Sequence, residues 1–219
     1  MVRGVFVTGT DTGVGKTVVA AALLVRYRDL APRYWKPVQT GIEQDDDTAE
    51  AARLAGVTGH DVLEYGIRLP RPVSPHLAAR WAGVSIEIAP LVAAAAAQPV
   101  RPWIVEGAGG VLVPINERDT MADLIRALGL PAVIVARSTL GTINHTLLTI
   151  DLLRRRQIDV AGVVMVGNPD ADNRAAIERY GDVSVIGEMP RLEPLTPASL
   201  SAWAAAGLDS EGQLRSSLR

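Results

Sequence analysis

The chain contains no cysteine, which excludes disulfides, thiolate catalysis and cysteine-ligated iron–sulfur clusters. The longest uninterrupted apolar runs, residues 18–25 and 91–97, are too short to cross a bilayer. The N-terminus lacks the pattern of a signal peptide, and the formal net charge of −2 gives no bulk positive field for nucleic acid. We therefore expect a soluble, cytoplasmic protein that binds neither nucleic acid nor membranes.

Lysine is also scarce in this chain. Among 22 basic residues only Lys16 and Lys36 are lysines, and every other one is arginine. The lysine ammonium is compact and flexible, whereas the arginine guanidinium is a rigid fork that needs more room. Two lysines kept in so arginine-rich a chain indicate positions where an ammonium is needed, unless both are chance survivors.

Residues 5–17 read VFVTGTDTGVGKT and predict a buried strand, a glycine-rich loop and the start of a helix. Glycines let backbone N–H groups turn toward a phosphate, and the helix N-terminus adds a partial positive charge. Lys16 would then reach the outer phosphates of a nucleotide, and the Thr17 hydroxyl would bind Mg²⁺. Because its first glycine is Gly9, the loop is one residue longer than the commonest form. The alternative is a tight turn with a chance Gly-Lys-Thr sequence.

A second lysine and a group of carboxylates are candidates to join this loop. Residues 33–36 predict a short strand that ends at Lys36, and Thr40 lies just beyond it. Three aspartates at 45–47 precede a helix predicted at 48–54. They are either solvated helix caps or include one Mg²⁺ ligand, and the residue types do not say which.

Glu106 ends an apolar strand predicted at residues 103–106, and glycines follow it. A buried glutamate without a cation is costly, and phosphate-loop enzymes place a magnesium contact at such a strand end. The following glycines would let backbone N–H groups approach another ligand. His76, at the start of another predicted helix, is either a ligand-facing or a structural histidine.

The rest of the chain alternates predicted helices with apolar strands. This alternation predicts an α/β fold with a mostly parallel sheet of about seven strands and helices on both faces. We expect one domain over residues 1–219. The remaining predicted segments are a surface loop at 60–74, helices at 87–97, 120–128, 171–180 and 197–206, a helix starting near 141 and ending near 156, strands at 131–136, 160–166 and 183–186, and a polar tail with little core-forming content at 207–219.

Six motifs, in order and with fitting spacing, resemble those of the dethiobiotin synthetase family. They are GTDTGVGKT at 9–17, KPVQTG at 36–41, SPH at 74–76, EGAGG at 106–110, LGTINH at 140–145 and GEMP at 187–190. The resemblance implies the three-layer P-loop NTPase fold and a homodimer with active sites near its interface. It also implies a reaction in which 7,8-diaminononanoate, CO₂ or bicarbonate and ATP with Mg²⁺ give a ureido ring.

The resemblance also implies a role for each site residue. Lys36 and Lys16 would be catalytic, with Lys36 on the carbamate and phosphoryl oxygens and Lys16 on the ATP phosphates. Magnesium ligands would be Thr17, Asp47 and Glu106. Substrate contacts would come from Thr12, Thr40 and, across the dimer interface, Gly141, Thr142, Ile143 and Asn144. The nucleotide site would comprise Gly13, Val14, Gly15, Lys16, Thr17, Val18, Asp47, Glu106, Gly107, Ala108, Gly109, Val166, Gly167, Asn168, Met189, Pro190 and Arg191.

The base-binding part of the family pattern differs in this chain. Val166 stands where some members place an asparagine that contacts adenine, so either Asn168 replaces it or backbone groups near Met189 and Pro190 bind the base. Preference for ATP over other nucleotides therefore stays open. Gly13 stands where some members carry an acidic residue.

Two other classes share the phosphate loop. One is a dimeric ATPase switch of the chromosome-partition or division-site kind, which carries an extra lysine where this chain has Asp11 and often ends in a basic helix. Here the last 13 residues hold only Arg215 and Arg219 as basic residues. The other is an amidoligase-like enzyme, which usually needs a glutaminase partner with a nucleophilic cysteine.

Overall fold

A parallel β-sheet organises the computed structural model, which describes residues 2–98 and 100–219. Its strands are β1 (Gly4–Gly9), β2 (Arg33–Trp35), β4 (Val62–Leu63), β6 (Trp103–Gly110), β7 (Ala132–Arg137), β8 (Val160–Val166) and β9 (Val185–Met189). They lie in the order β4-β2-β6-β1-β7-β8-β9, and each neighbouring pair is parallel. The predicted mostly parallel sheet of about seven strands is confirmed.

Successive side chains of the central strands enter two apolar layers, because a strand alternates its faces. On β1, Phe6 belongs to one core cluster, whereas Val5 and Val7 belong to the other. Helices cover both layers, as the sequence predicts. They are α1 (Lys16–Arg26), α2 (Asp47–Ala55), α8 (Pro197–Gly207) and α9 (Arg215–Leu218) over one layer, and α3 (Pro75–Ala82), α4 (Ile88–Ala96), α5 (Met121–Leu128), α6 (Thr142–Arg155) and α7 (Ala171–Gly181) over the other.

The surface loop predicted at residues 60–74 is wrong, because this stretch contains two short strands. One is β4 at the sheet edge, and the other is β5 (Ile67–Leu69), which pairs in parallel with β3 (Val38–Thr40). Strands of two or three residues are too short to display an alternating pattern, so periodicity missed them. The small β3–β5 sheet resumes strand pairing at Val38, beyond Lys36, where the sequence predicted that the strand ends.

The C-terminal segment also differs from the polar tail that the sequence predicts. Leu208, Leu214 and Leu218 are all buried, and they belong to the core cluster that contains α1. Asp209 is buried too: its carboxylate accepts hydrogen bonds from the Tyr27 hydroxyl and from the Leu214 N–H. Apolar residues spaced along a short polar stretch gave no helical period, so their burial was not apparent.

The sheet brings the ends of several strands to one edge. β1 lies between β6 and β7, and β2 lies on the other side of β6. The carboxyl ends of parallel strands meet at one edge, which is where ligands bind in such sheets. None of the helices within residues 2–98 and 100–219 combines the length and apolarity that a bilayer crossing needs.

Candidate active site

The phosphate-binding loop joins the end of β1 to the start of α1. Gly15 precedes the helix with φ of 96°, and Gly13 has φ of 71°. Backbone angles in this region favour glycine, since other residues are strained there. A Cβ atom on Gly15 would also lie 3.4 Å from the Val166 side chain. The loop therefore adopts its shape because glycines occupy both positions.

Lys16 lies at the first turn of α1 and is only 8% exposed. Its ammonium donates a hydrogen bond of 3.0 Å to the carbonyl oxygen of Asp11, on the opposite side of the loop. Burial, and then the nearby charge of Lys36, lowers the pKa of Lys16 from its ordinary value. A phosphate bound at this loop would stabilise the positive charge of Lys16, which burial and the charge of Lys36 disfavour.

Lys36 lies between two carboxylates from different elements. Its Nζ atom is 2.5 Å from Asp47 Oδ2 and 2.6 Å from Glu106 Oε1. Burial alone would lower the pKa of Lys36, but the charges of Glu106 and Asp47 and their hydrogen bonds raise it above its ordinary value. Lys36 therefore remains an ammonium at neutral pH and compensates two negative charges.

Thr17 faces the same two carboxylates. Its hydroxyl oxygen is 3.0 Å from Asp47 Oδ1 and 2.9 Å from Glu106 Oε1. The three side chains thus gather hydroxyl and carboxylate oxygens beside the phosphate loop. Oxygen donors of this kind are what Mg²⁺ prefers, so these residues fit a magnesium ion carried by a nucleotide.

The structure separates the three adjacent aspartates, which their residue type left equivalent and among which the family resemblance implied Asp47. Asp46 caps α2 by accepting from the Ala49 N–H at 3.1 Å, and its other oxygen pairs with Arg68 at 2.7 Å. Asp45 offers its backbone carbonyl to the Gln39 amide at 3.0 Å. Of these three aspartates, only Asp47 contacts Thr17 and Lys36 with its carboxylate.

Tyr34 is a site residue that the sequence reasoning missed. Its fully buried hydroxyl donates to Glu106 Oε2 at 2.7 Å. Burial, and then the charge of Glu106, raises the pKa of Tyr34 well above its ordinary value, so the hydroxyl stays protonated and keeps donating. A tyrosine inside an apolar strand is more often part of the core, and only the pairing of β2 with β6 reveals its partner.

A cavity of about 580 Å³ brings most of the predicted site residues together. This volume is within the usual range for small-molecule sites. Among the residues in its wall are Thr12, Gly13, Gly15, Lys16, Thr17, Val18, Lys36, Thr40, Asp47, Glu106, Ala108 and Gly109. Ser74 and Pro75 also line this cavity, whereas its recorded wall does not include their neighbour His76.

The predicted base-binding residues lie on the other side of the phosphate loop. Val166 pairs with Met189 across β8 and β9, and the Gly167 N–H donates to the Met189 carbonyl at 2.9 Å. Both side chains approach Gly15, since a Cβ there would be 3.4 Å from Val166 and 3.9 Å from Met189. Asn168 is exposed just beyond, and its carbonyl accepts from the Ser138 hydroxyl. Pro190 and Arg191 directly follow β9 and are exposed.

The segment Gly141 to Asn144, predicted to contact substrate across the dimer interface, does not line the cavity that holds the lysines. Gly141 precedes α6 with φ of 92°, and Thr142, Ile143 and Asn144 form the first turn of that helix. The next residue, His145, lines a second cavity of about 610 Å³ that also includes Thr12. A role for this segment within its own subunit is therefore not supported by the cavity geometry.

Comparison with known proteins agrees with this geometry. A family model described as an AAA domain matches residues 3–199. The ATP-dependent dethiobiotin synthetase BioD of Paramagnetospirillum magneticum is 49% identical over 201 residues, which cover 91% of this chain and 93% of that protein. The enzyme of the same name from Agrobacterium fabrum is 46% identical over 194 residues and 89% of each chain.

Solved structures with low sequence identity share the fold alone. The septum site-determining protein MinD of Pyrococcus horikoshii, complexed with Mg-ADP, has a TM-score of 0.58 at 11% identity over 99% of this chain and 95% of that one. A ParA family ATPase of Chlorobium tepidum has a TM-score of 0.57 at 13% identity over 100% and 98%. The sequence relatives, together with the motifs whose residues line one cavity, show that the chain belongs to the ATP-dependent dethiobiotin synthetase family.

Proposed function

We propose that this protein closes a ureido ring on 7,8-diaminononanoate with CO₂ and ATP, which is the formation of dethiobiotin in biotin biosynthesis. The observation that carries the proposal is the meeting of Lys16, Thr17, Lys36, Asp47 and Glu106 in one cavity at the phosphate loop. The rival, a dimeric ATPase switch, has support only from structures that share the fold at 11–13% identity.

The reaction needs no nucleophile from the protein. One substrate amine attacks CO₂, loses a proton and becomes a carbamate anion. A carbamate oxygen then takes the γ-phosphoryl group from ATP, which leaves as ADP. The second amine attacks the carbamoyl carbon and loses a proton, the bond from that carbon to the phosphate oxygen breaks, and phosphate leaves as the ring closes. The protein contributes positioning and charge stabilisation at each step.

The two lysines would divide this task by position. Lys16, on the phosphate loop, would hold the outer phosphates of ATP. Lys36, which lines the same cavity beside Asp47 and Glu106, would hold the carbamate and the transferring phosphoryl oxygens. Its raised pKa keeps Lys36 charged at neutral pH, which suits the stabilisation of an anionic carbamate.

Thr17, Asp47 and Glu106 would hold Mg²⁺, since they gather oxygen donors beside the loop. When bound, the ion neutralises charge on the transferring phosphoryl group. The base would lie against the segments 166–168 and 189–191, which flank the loop near Gly15.

We also propose a single-domain, cytoplasmic homodimer in which the helix start at 141–144 holds the substrate carboxylate of the neighbouring subunit, with Thr12 and Thr40 contacting substrate. Support comes from the second cavity, where Leu112 and Leu148 are 58% and 60% exposed. Exposed apolar side chains grouped around a cavity are typical of interaction surfaces.

The test is phosphate release by purified protein with ATP, Mg²⁺ and bicarbonate, with and without 7,8-diaminononanoate. We expect release only with the diamine, together with dethiobiotin in the mass spectrum, and loss of both when bicarbonate is removed. Hydrolysis that is independent of the diamine, or no hydrolysis at all, would overturn the proposal in favour of the ATPase switch.

A further inference from the structure

Glu106 is held from two directions by three side chains, one from α1, one from β2 and one from the residue directly after β2. Its Oε1 atom contacts Thr17 and Lys36 at 2.9 and 2.6 Å, whereas its Oε2 atom accepts the Tyr34 hydroxyl at 2.7 Å. Glu106 and Tyr34 are both 0% exposed. Solvent therefore cannot replace the Tyr34 hydroxyl at Oε2 without a change in the fold.

The pairing of β2 with β6 explains why Tyr34 reaches this carboxylate. Tyr34 is opposite Ile104 in the parallel register, and both belong to the core cluster under α1. Two residues further on, Glu106 on β6 and Lys36, directly after β2, lie on the same face, since strand side chains alternate and the two side chains are in contact. Tyr34 therefore lies one step behind Lys36 on that face, and its long side chain brings the hydroxyl to the far oxygen of Glu106.

We infer that Tyr34 is a positioning residue for Glu106. Its hydroxyl fixes the rotation of the carboxylate, so that Oε1 stays directed at Thr17 and Lys36 while Oε2 stays paired. Without this donor, the buried Oε2 atom would lose the hydrogen bond that satisfies it, and the carboxylate would turn to regain a partner. The inference rests on the proposed magnesium role of Glu106 and adds a residue that acts through it.

The test compares how strongly Mg²⁺ improves the binding of a non-hydrolysable ATP analogue, by calorimetric titration with Mg²⁺ and with a chelator. In Tyr34→Phe we expect the ratio of the two dissociation constants to fall about tenfold or more, which is the usual loss when a metal ligand loses its hydrogen-bond partner. Affinity measured without Mg²⁺ should stay unchanged. A merely structural role would not alter this ratio.

Tyr27→Phe is the matched control. Tyr27 is also a buried tyrosine whose hydroxyl donates to a carboxylate, that of Asp209, but it follows the far end of α1. This variant loses a comparable hydrogen bond and should keep the wild-type ratio. A fall of the same size in Tyr27→Phe would overturn the inference, since the effect would then reflect general loosening of the fold.

Glu106→Gln separates the inference from the function beneath it. If Glu106→Gln lowers the ratio and Tyr34→Phe does not, Tyr34 has no positioning role and the proposed magnesium site stands. An unchanged ratio in Glu106→Gln removes Glu106 from the magnesium site. That result overturns both the positioning role of Tyr34 and the proposed magnesium role of Glu106. Adding Tyr34→Phe to Glu106→Gln should lower the ratio no further.

If Tyr34→Phe does not fold, Tyr34→Met, which also lacks a hydrogen-bond donor, takes its place. The same changes in the ratio then support or overturn the inference.

Discussion

Single atoms decide the chemistry of this site, and the clearest case is the Lys36 ammonium. It lies 2.5 Å from Asp47 and 2.6 Å from Glu106, in a place where its side chain is almost fully buried. A guanidinium is planar and wider, so it cannot occupy the same point between two carboxylates. The scarcity of lysine in the sequence therefore has a physical counterpart at this position.

Lys36→Arg should keep the fold and much of the nucleotide affinity yet lose most of the turnover. The charge survives, but the phosphoryl and carbamate oxygens lose a donor placed to fit them, and misplacement by about 1 Å can cost about 100-fold in rate. Diamine-dependent phosphate release measures the rate, and analogue titration measures binding. Near-normal turnover in the folded variant would remove Lys36 from the chemistry.

At the scale of elements, the loop between β1 and α1 is shaped by its glycines. Gly15 has φ of 96°, a backbone conformation that favours glycine. A Cβ there would lie 3.4 Å from the Val166 side chain on β8, which is an ordinary van der Waals distance, so the requirement for glycine comes from the backbone angle. The same distance shows that the loop lies next to the predicted base-binding segment, more than a hundred residues away in sequence.

Gly15→Ala should weaken nucleotide binding about tenfold or more, because a residue forced into such backbone angles costs about 1–3 kcal/mol and the loop would relax to avoid it. Gly129→Ala is the control, since Gly129 has φ of 67° at the end of α5 and a Cβ there meets open space. That variant should lose about 1 kcal/mol of unfolding free energy and keep its nucleotide affinity. Equal nucleotide affinity in the two variants would contradict the role given to Gly15.

Over the whole molecule, the C-terminal segment closes one apolar layer of the sheet. Leu208, Leu214 and Leu218 are buried in the cluster that contains α1, and Asp209 is tied to Tyr27 behind that helix. The phosphate loop leads into the start of α1, where Lys16 and Thr17 lie. The C-terminal segment therefore supports the same helix at its opposite end.

Leu214→Ala should reduce the free energy of unfolding by about 2–4 kcal/mol, which is the usual cost of removing a buried leucine side chain. Ser216→Ala changes an exposed position in the same segment and should stay within about 0.5 kcal/mol of wild type. Urea denaturation with a fixed slope gives both values. Two equally small effects would mean that the segment is not part of the core in solution.

The sequence alone determined the features that depend on local spacing. The phosphate loop, Lys16 and Thr17 are contiguous, so their motif identifies them without knowledge of the fold. Long apolar strands alternating with helices likewise predicted the parallel sheet, which the structure confirms. The six motifs identified the family, which the relatives confirm. The roles of the individual site residues stay predictions.

Tertiary structure alone decided which residues meet. Three adjacent aspartates look alike by residue type. The direction in which α2 begins brings only the Asp47 carboxylate of these three into contact with Thr17 and Lys36. Tyr34 reads as a core residue until the register of β2 against β6 places it opposite Ile104, two residues before Glu106 on the same strand, where its hydroxyl reaches the Glu106 carboxylate. Contacts between segments about 70 residues apart depend on strand order and register, which local patterns in a single chain do not encode.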